Sequence, residues 1–313
     1  MVIVKGIKMR SHKVLFFLLI LFSLSFSMAK AKEAPAKEEV KLTVEIQKSA
    51  YVGEAVAYEV KLLSTTPHIT NVRVRKKIHF PAGLTVIEGA VNNRRPEIIK
   101  EKGKQYYCWT IVRNFVIPEK SGNYTIPASQ FIAFIPYEKV VYHDFWGYSR
   151  VTDYEEIDLE GKSISFKVSD LPSAKNKENF SDCTGDFKIE GWFPPGRIFA
   201  GKEAYAVFSI SGFGSLENLK IPNLSKLFGK GCRLKNIERD DEMMQRDGRL
   251  FSKIVLTCLF VPEEDDFEID PLCLIFFNSE TKKYYETCSE PLKGNGNSSG
   301  EKAKNHNKDA IAI

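Results

Sequence analysis

Few residues of this chain are spaced for chemistry. His68, His79 and His143 are the only histidines outside the two ends, and none stands at ligand spacing from another His, Cys or carboxylate. That pattern argues against a zinc centre or a histidine general base. No serine lies in a Gly-x-Ser-x-Gly elbow, the arrangement that exposes a nucleophile on a strained turn. "GFGS" (212–215) lacks the third glycine and the following helix of a dinucleotide loop and reads as a turn. The acidic runs "ERDDE" (238–242) and "PEEDDFEID" (262–270) lack alternating ligands around a central glycine, so they read as solvated turns, not calcium loops. No metal and no cofactor is expected.

Two groups of residues remain. The six cysteines are Cys108, Cys183, Cys232, Cys258, Cys273 and Cys288, with no CxxC pair among them. Cys273 and Cys288 flank a hairpin-like stretch and can face each other across neighbouring strands, either as a disulfide or as two thiols. Cys108, beside Trp109, reads as a core thiol. The second group is aromatic. The segment "IPYEKVVYHDFWGYSRVTDYEE" (135–156) carries Tyr137, Tyr142, Phe145, Trp146, Tyr148 and Tyr154 among charges. Aromatics concentrated on a surface loop mark a contact surface; the alternative is that they fold back over an open end of the fold. Tyr142, Phe145, Trp146 and Tyr148 are the candidate partner-binding residues.

The elements that position these residues read as strands. "KLTVEIQ", "AVAYEVKLL", "YYCWTIVRNFVI" and "SISFKV" alternate or run rich in Val, Ile, Tyr and Phe, as do "DFKIEGWF", "AYAVFSISG", "LFSKIVLTCLFV", "LCLIFFN" and "KYYETC". No long amphipathic helix is evident, and "ERDDEMMQRDG" (238–248) reads as a loop or hairpin tip. The chain also repeats itself. "YVGEAVAYEVKL" from Tyr51 returns as "FAGKEAYAVFSI" from Phe199, and "FVIPEKSGNYTI" from Phe115 returns as "LFVPEEDDFEI" from Leu259. The Gly-to-Pro interval is 65 residues in the first copy (Gly53 to Pro118) and 61 in the second (Gly201 to Pro262). Each glycine is expected to take a positive φ in a turn feeding a strand, and each proline to stop one.

An all-β fold of two tandem immunoglobulin-like β-sandwiches follows from this pattern. The first is expected over 40–170, with the aromatic loop inserted at 135–156, and the second over 186–293. Residues 171–185 read as a linker and 294–313 as a disordered tail.

Lys5, Lys8, Arg10 and Lys13 precede thirteen uncharged residues, "VLFFLLILFSLSF", and then Ser27-Met28-Ala29. This is the pattern of a secretory signal peptide over 1–29, and the apolar run is short of the roughly 20 residues of a spanning helix. Removing those four basic residues with the leader takes the formal net charge from +5 to +1. A nearly neutral mature chain gives no reason to expect nucleic acid or an anionic membrane as partner. No later run is long enough to span a bilayer, so an exported, periplasmic protein is expected.

The chain resembles the BatD family, the aerotolerance (oxygen-tolerance) proteins of Bacteroides and related bacteria. The resemblance is carried by "YVGEAV", "NFVIPEKSGNYTIPASQF", "HDFWG", Leu171-Pro172, "NFSDCTGDFKI", "AGKEAYAVFSISGFGSLENLKIPNL" and "YYETCSEPL". It spans about residues 44–293 and is most specific over Phe180–Leu224. It implies strings of exported immunoglobulin-like domains with no catalytic residues. It also implies an envelope complex with an AAA+ ATPase of the MoxR type and with von Willebrand A-type proteins. The function expected is that of a non-enzymatic envelope scaffold, the alternative being a module that binds a glycan or other small ligand near Trp146.

Overall fold

The computed structural model describes residues 38–91, 95–143, 147–173, 180–229, 231–295 and 311–312. The leader expected over 1–29 lies outside them. Among the described residues the protein is all-β, and its one helical piece is a 3-10 turn at Leu224–Phe228. No helix among them is long and apolar enough to cross a membrane.

In the first half, β1 (Val40–Ile46), β3 (Val56–Ser64), β7 (Lys104–Pro118) and β5 (Leu84–Glu88) form one sheet in that order, with β6 (Glu97–Glu101) also on β7. A second layer comprises β4 (Asn71–Lys76), β9 (Gln130–His143) and β10 (Gly147–Glu160). Beside it lie β2 (Ser49–Tyr51), β11 (Ile164–Ser169) and β8 (Gly122–Ile126). Period-two alternation explains the layering: Val56, Tyr58, Val60 and Leu62 of β3 point inward. There they meet Trp109, Phe131, Ala133, Leu159 and Phe166 from the other strands.

The second half repeats the plan. Strands β12 (Phe180–Trp192), β13 (Ala204–Gly214), β15 (Arg249–Pro262) and β14 (Cys232–Arg246) form an antiparallel series. β17 (Cys273–Asn278) pairs in parallel with the first part of β12 and antiparallel with β18 (Lys283–Cys288), so both continue the same sheet, while β16 (Asp266–Ile269) pairs β19 (Leu292–Asn295). Alternation along β15 is complete, and Ile254, Leu256, Cys258 and Phe260 enter the second core. β20 (Ile311–Ala312) pairs with the outer edge of β18.

The repeated phrases have a common physical cause. Gly53 and Gly201 take φ of +77° and +72°, as a left-handed turn residue must. In each copy the glycine N–H donates to the carbonyl of the matching proline, Gly53 to Pro118 at 2.8 Å and Gly201 to Pro262 at 2.7 Å. The turn that starts β3 or β13 is thereby fastened to the end of β7 or β15.

Several expected boundaries move. Residues 180–185, read as linker, are the first part of β12, and 174–179 lie outside the described residues. Phe180–Thr184 pair in parallel with β17 before Gly185–Trp192 pair with β13. β12 therefore changes partner at Gly185, and the reason "GFGS" is glycine-rich lies there: Gly212 and Gly214 belong to β13, not to a turn. A Cβ on Gly212 would intrude on the backbone of Asp186 and Phe187. Gly294 and Asn295, read as tail, complete β19.

The two halves are not separately packed. The described residues from Glu39 onward cluster as one compact unit. Phe115 and Ile117 of the first half share a buried cluster with Leu250 of the second. The Gly53 turn docks on the second half: the Tyr51 ring meets Phe277 edge-on at 4.9 Å, Thr184 Oγ1 donates to Val52 O at 3.1 Å, and Ser279 Oγ donates to Glu54 Oε1 at 2.8 Å.

Candidate partner-binding surface

The described part of the segment 135–156 is strand, not loop. It forms most of a β-hairpin whose strands, β9 and β10, are 14 residues each and remain in register from Gln130↔Glu160 to His143↔Gly147. Alternation was present in "IPYEKVVYH" and "GYSRVTDYEE", but charged residues hid it, because both faces of this hairpin meet water. The hairpin also has a counterpart in the second half, the six-residue pair β17 and β18. The first half lengthens a shared element.

At its base the hairpin is ordinary core. Phe131, Ala133, Ile135 and Leu159 are buried. β4 follows β9 only as far as Phe134, whose carbonyl accepts the Thr70 N–H and hydroxyl. Beyond Ile135 the hairpin continues for eight residues of β9 with, among the described residues, neither β4 beside it nor a second layer over it. At about 3.4 Å per residue, that is roughly 27 Å of two-stranded arm. Two strands alone are marginal in water. The arm relies on its own ladder and cross-strand pairs.

Directly opposed residues share a face, so register fixes what each face carries. One face has Tyr142, Tyr148, Val140 and Tyr154, with Glu138 and Arg150 paired at 3.4 Å. Tyr142 is 80% exposed and Tyr148 69%, with ring centroids 6.2 Å apart. The other face has Tyr137, whose hydroxyl donates to Asp153 at 3.1 Å, and Lys139, 3.4 Å from the same carboxylate. The bond to Asp153 raises the Tyr137 pKa. The Asp153 carboxyl is lowered, first by the Tyr154 backbone N–H and then by Tyr137. No protein-family model and no curated protein matches this chain.

Of the four candidate residues, the register places Tyr142 and Tyr148 directly opposite each other. Phe145 and Trp146 lie outside the described residues. Val140 and Val151 are exposed on the same arm, and single valines among charged residues leave no mark in the sequence. Cys273 and Cys288 stand directly opposite each other on β17 and β18 and are joined by a disulfide.

A cleft of about 760 Å³ between the two halves went unread in the sequence, since its walls come from both copies. Glu45, Glu54, Arg249 and Glu280 line it alongside Phe115 and Phe213. Its charged groups already have partners: Arg249 lies 3.2 Å from Glu280, Glu54 accepts from Ser279 and from the Tyr51 N–H, and Glu45 pairs with Lys61 from outside the cleft. Such a site offers little unpaired polarity to a ligand.

Proposed function

We propose that this chain is a non-enzymatic adaptor of a cell-envelope complex, and that it holds a protein partner with the β9–β10 arm. The observation that carries this reading is the arm itself. It holds two tyrosine rings in water on a strand pair that has no second layer, and a partner laid on that face would supply the layer and bury the rings. Tyrosine suits such a role, combining a large apolar ring with a hydroxyl that tolerates a wet rim.

We read the two halves as immunoglobulin-like sandwiches. The support is strand order: β1-β3-β7-β5 in one half matches β12-β13-β15-β14 in the other, and a hairpin, β9–β10 or β17–β18, follows that series in each half. The resemblance to BatD falls on the same elements. "YVGEAV" forms the Gly53 turn, and the described part of "NFSDCTGDFKI", from Phe180 on, lies in the partner-switching part of β12. The expected partner is accordingly a von Willebrand A-type protein of the same envelope system. Export by the leader would place both in the periplasm. The small-ligand alternative is weaker, because the charged side chains lining the large cleft already have partners.

Hydrogen exchange tests this. Adding a purified von Willebrand A-type protein from the same envelope system should slow exchange at 138–142 and 148–154. Protection confined to other strands contradicts the arm, and no protection contradicts the partner class.

A further inference from the structure

The disulfide at the β17–β18 hairpin sits in a setting unlike that of the other cysteines. Cys108, Cys183, Cys232 and Cys258 are free and buried. Burial pushes the thiols of Cys183 up to about 12 and of Cys232 and Cys258 up to about 11, which leaves them as inert thiols. Cys288 is exposed and Cys273 half-buried. A dissolved reductant therefore reaches this pair of sulfurs and no other among the described residues.

Beside the pair stands a carboxylate. Glu286 lies two residues before Cys288 on β18, so both side chains project from the same face. The ligand atoms of Cys273, Glu286 and Cys288 all lie within 4.8 Å of one another. No Lys or Arg forms an ion pair with Glu286 among the described residues. The backbone holds this geometry without help from the sulfur–sulfur bond. Cys273 and Cys288 are register partners. Immediately beyond them Ser289 N–H donates to Leu272 O at 3.0 Å, and Leu272 N–H donates to Ser289 Oγ at 3.1 Å. Ser289 is itself buried. On the other side Tyr284 is anchored by the Phe277 and Phe180 rings and by a 2.7 Å bond to Pro172 O.

We propose that Cys273, Cys288 and Glu286 form a redox-gated site for a thiophilic divalent cation such as Zn²⁺, closed while the sulfurs are bonded to each other and open once they are reduced. Opening is thiol–disulfide exchange with a dithiol: the Cys273–Cys288 bond breaks, the two cysteines gain two electrons and two protons, and the dithiol becomes a disulfide. The cation then displaces both thiol protons and takes two thiolates, one carboxylate oxygen and a water. Two sulfurs and one oxygen, with a fourth position left to solvent, suit tetrahedral zinc. At about 2.3 Å per Zn–S bond the sulfurs need to part to roughly 3.8 Å, which side-chain rotation on a fixed hairpin provides.

The test uses the full mature chain and Co²⁺ as a spectroscopic probe. Phosphine reduction, removal of the phosphine without oxygen, and titration with Co²⁺ should give sulfur-to-cobalt charge-transfer absorption that saturates at one equivalent. The oxidised chain and Cys288→Ser should give none of it. Glu286→Gln should keep the absorption and weaken affinity at least tenfold. Absence of the absorption in the reduced chain overturns the site, and so does equal absorption in the oxidised chain. An affinity for Glu286→Gln within twofold of wild type removes the carboxylate and overturns the three-ligand arrangement. Circular dichroism of the reduced chain guards the premise: loss of the β signal would show that the hairpin does not hold the sulfurs, which also overturns the proposal.

Discussion

Leu250→Ala should loosen both halves of the molecule, not one. Leu250 sits on β15, a strand of the second half, yet its side chain is 2% exposed in a cluster with Phe115 and Ile117 of β7. Ala55, Ala57 and Ile87 of the first half close around it. Truncation removes three buried carbons and leaves a cavity that β7 and β15 cannot both collapse into, because each is fixed by ladders on two sides. A loss of about 3 kcal/mol follows, or roughly 150-fold in the opening constant. Hydrogen exchange read by mass spectrometry reports β3 and β13 in one experiment. If the halves open together, both strands should exchange faster by that factor. Faster exchange in β13 and β15 with β3 and β7 unchanged would refute the shared unit and restore two independently folding domains.

Three further outcomes follow from single sites. The Glu59 carboxyl lies below its ordinary range: burial alone would raise it, and the hydrogen bonds from Arg113 and Lys61 more than reverse that. Its stabilisation is therefore whole above the unfolded-chain value of about 4.3 and is lost as pH falls through the lower folded value. Glu59→Gln should cost about 1–3 kcal/mol in urea unfolding at pH 7, with the gap to wild type closing below about pH 4; a constant gap would contradict the linkage. Gly212→Ala should destabilise by about 3 kcal/mol, since β12 must move off β13 at the partner switch; a thermal midpoint within a degree of wild type would show that the crossing is not tight. Gly53→Ala should cost about 1–2 kcal/mol from its positive φ alone, measurable in the same unfolding experiments, and a neutral result would mean the turn relaxes.

Strand content was legible because alternation is a local property, and β3 and β15 show it without interruption. The Gly–Pro repeat was legible as punctuation, though the hydrogen bond that joins its two ends was not, since partners more than 60 residues apart leave no local mark. Two readings failed for one reason. The "GFGS" stretch and the supposed linker at 180–185 owe their composition to each other, as one backbone passes close over the other at Gly185 and Gly212. Small residues required by a close approach look the same in sequence as small residues required by a turn. The arm was misread because a strand pair wet on both faces lacks the apolar period that marks a half-buried strand.

Partner binding at the arm is read from the affinity of Tyr142→Ser/Tyr148→Ser for the proposed von Willebrand A-type partner, measured beside its thermal midpoint. Both rings stand in water, so the double change should leave stability within about 0.5 kcal/mol per site. If a partner buries them, each should contribute about 2 kcal/mol to binding, and the pair roughly a thousandfold in Kd. An unchanged midpoint with that loss is the expected result. A stable variant that binds as tightly as wild type would contradict it.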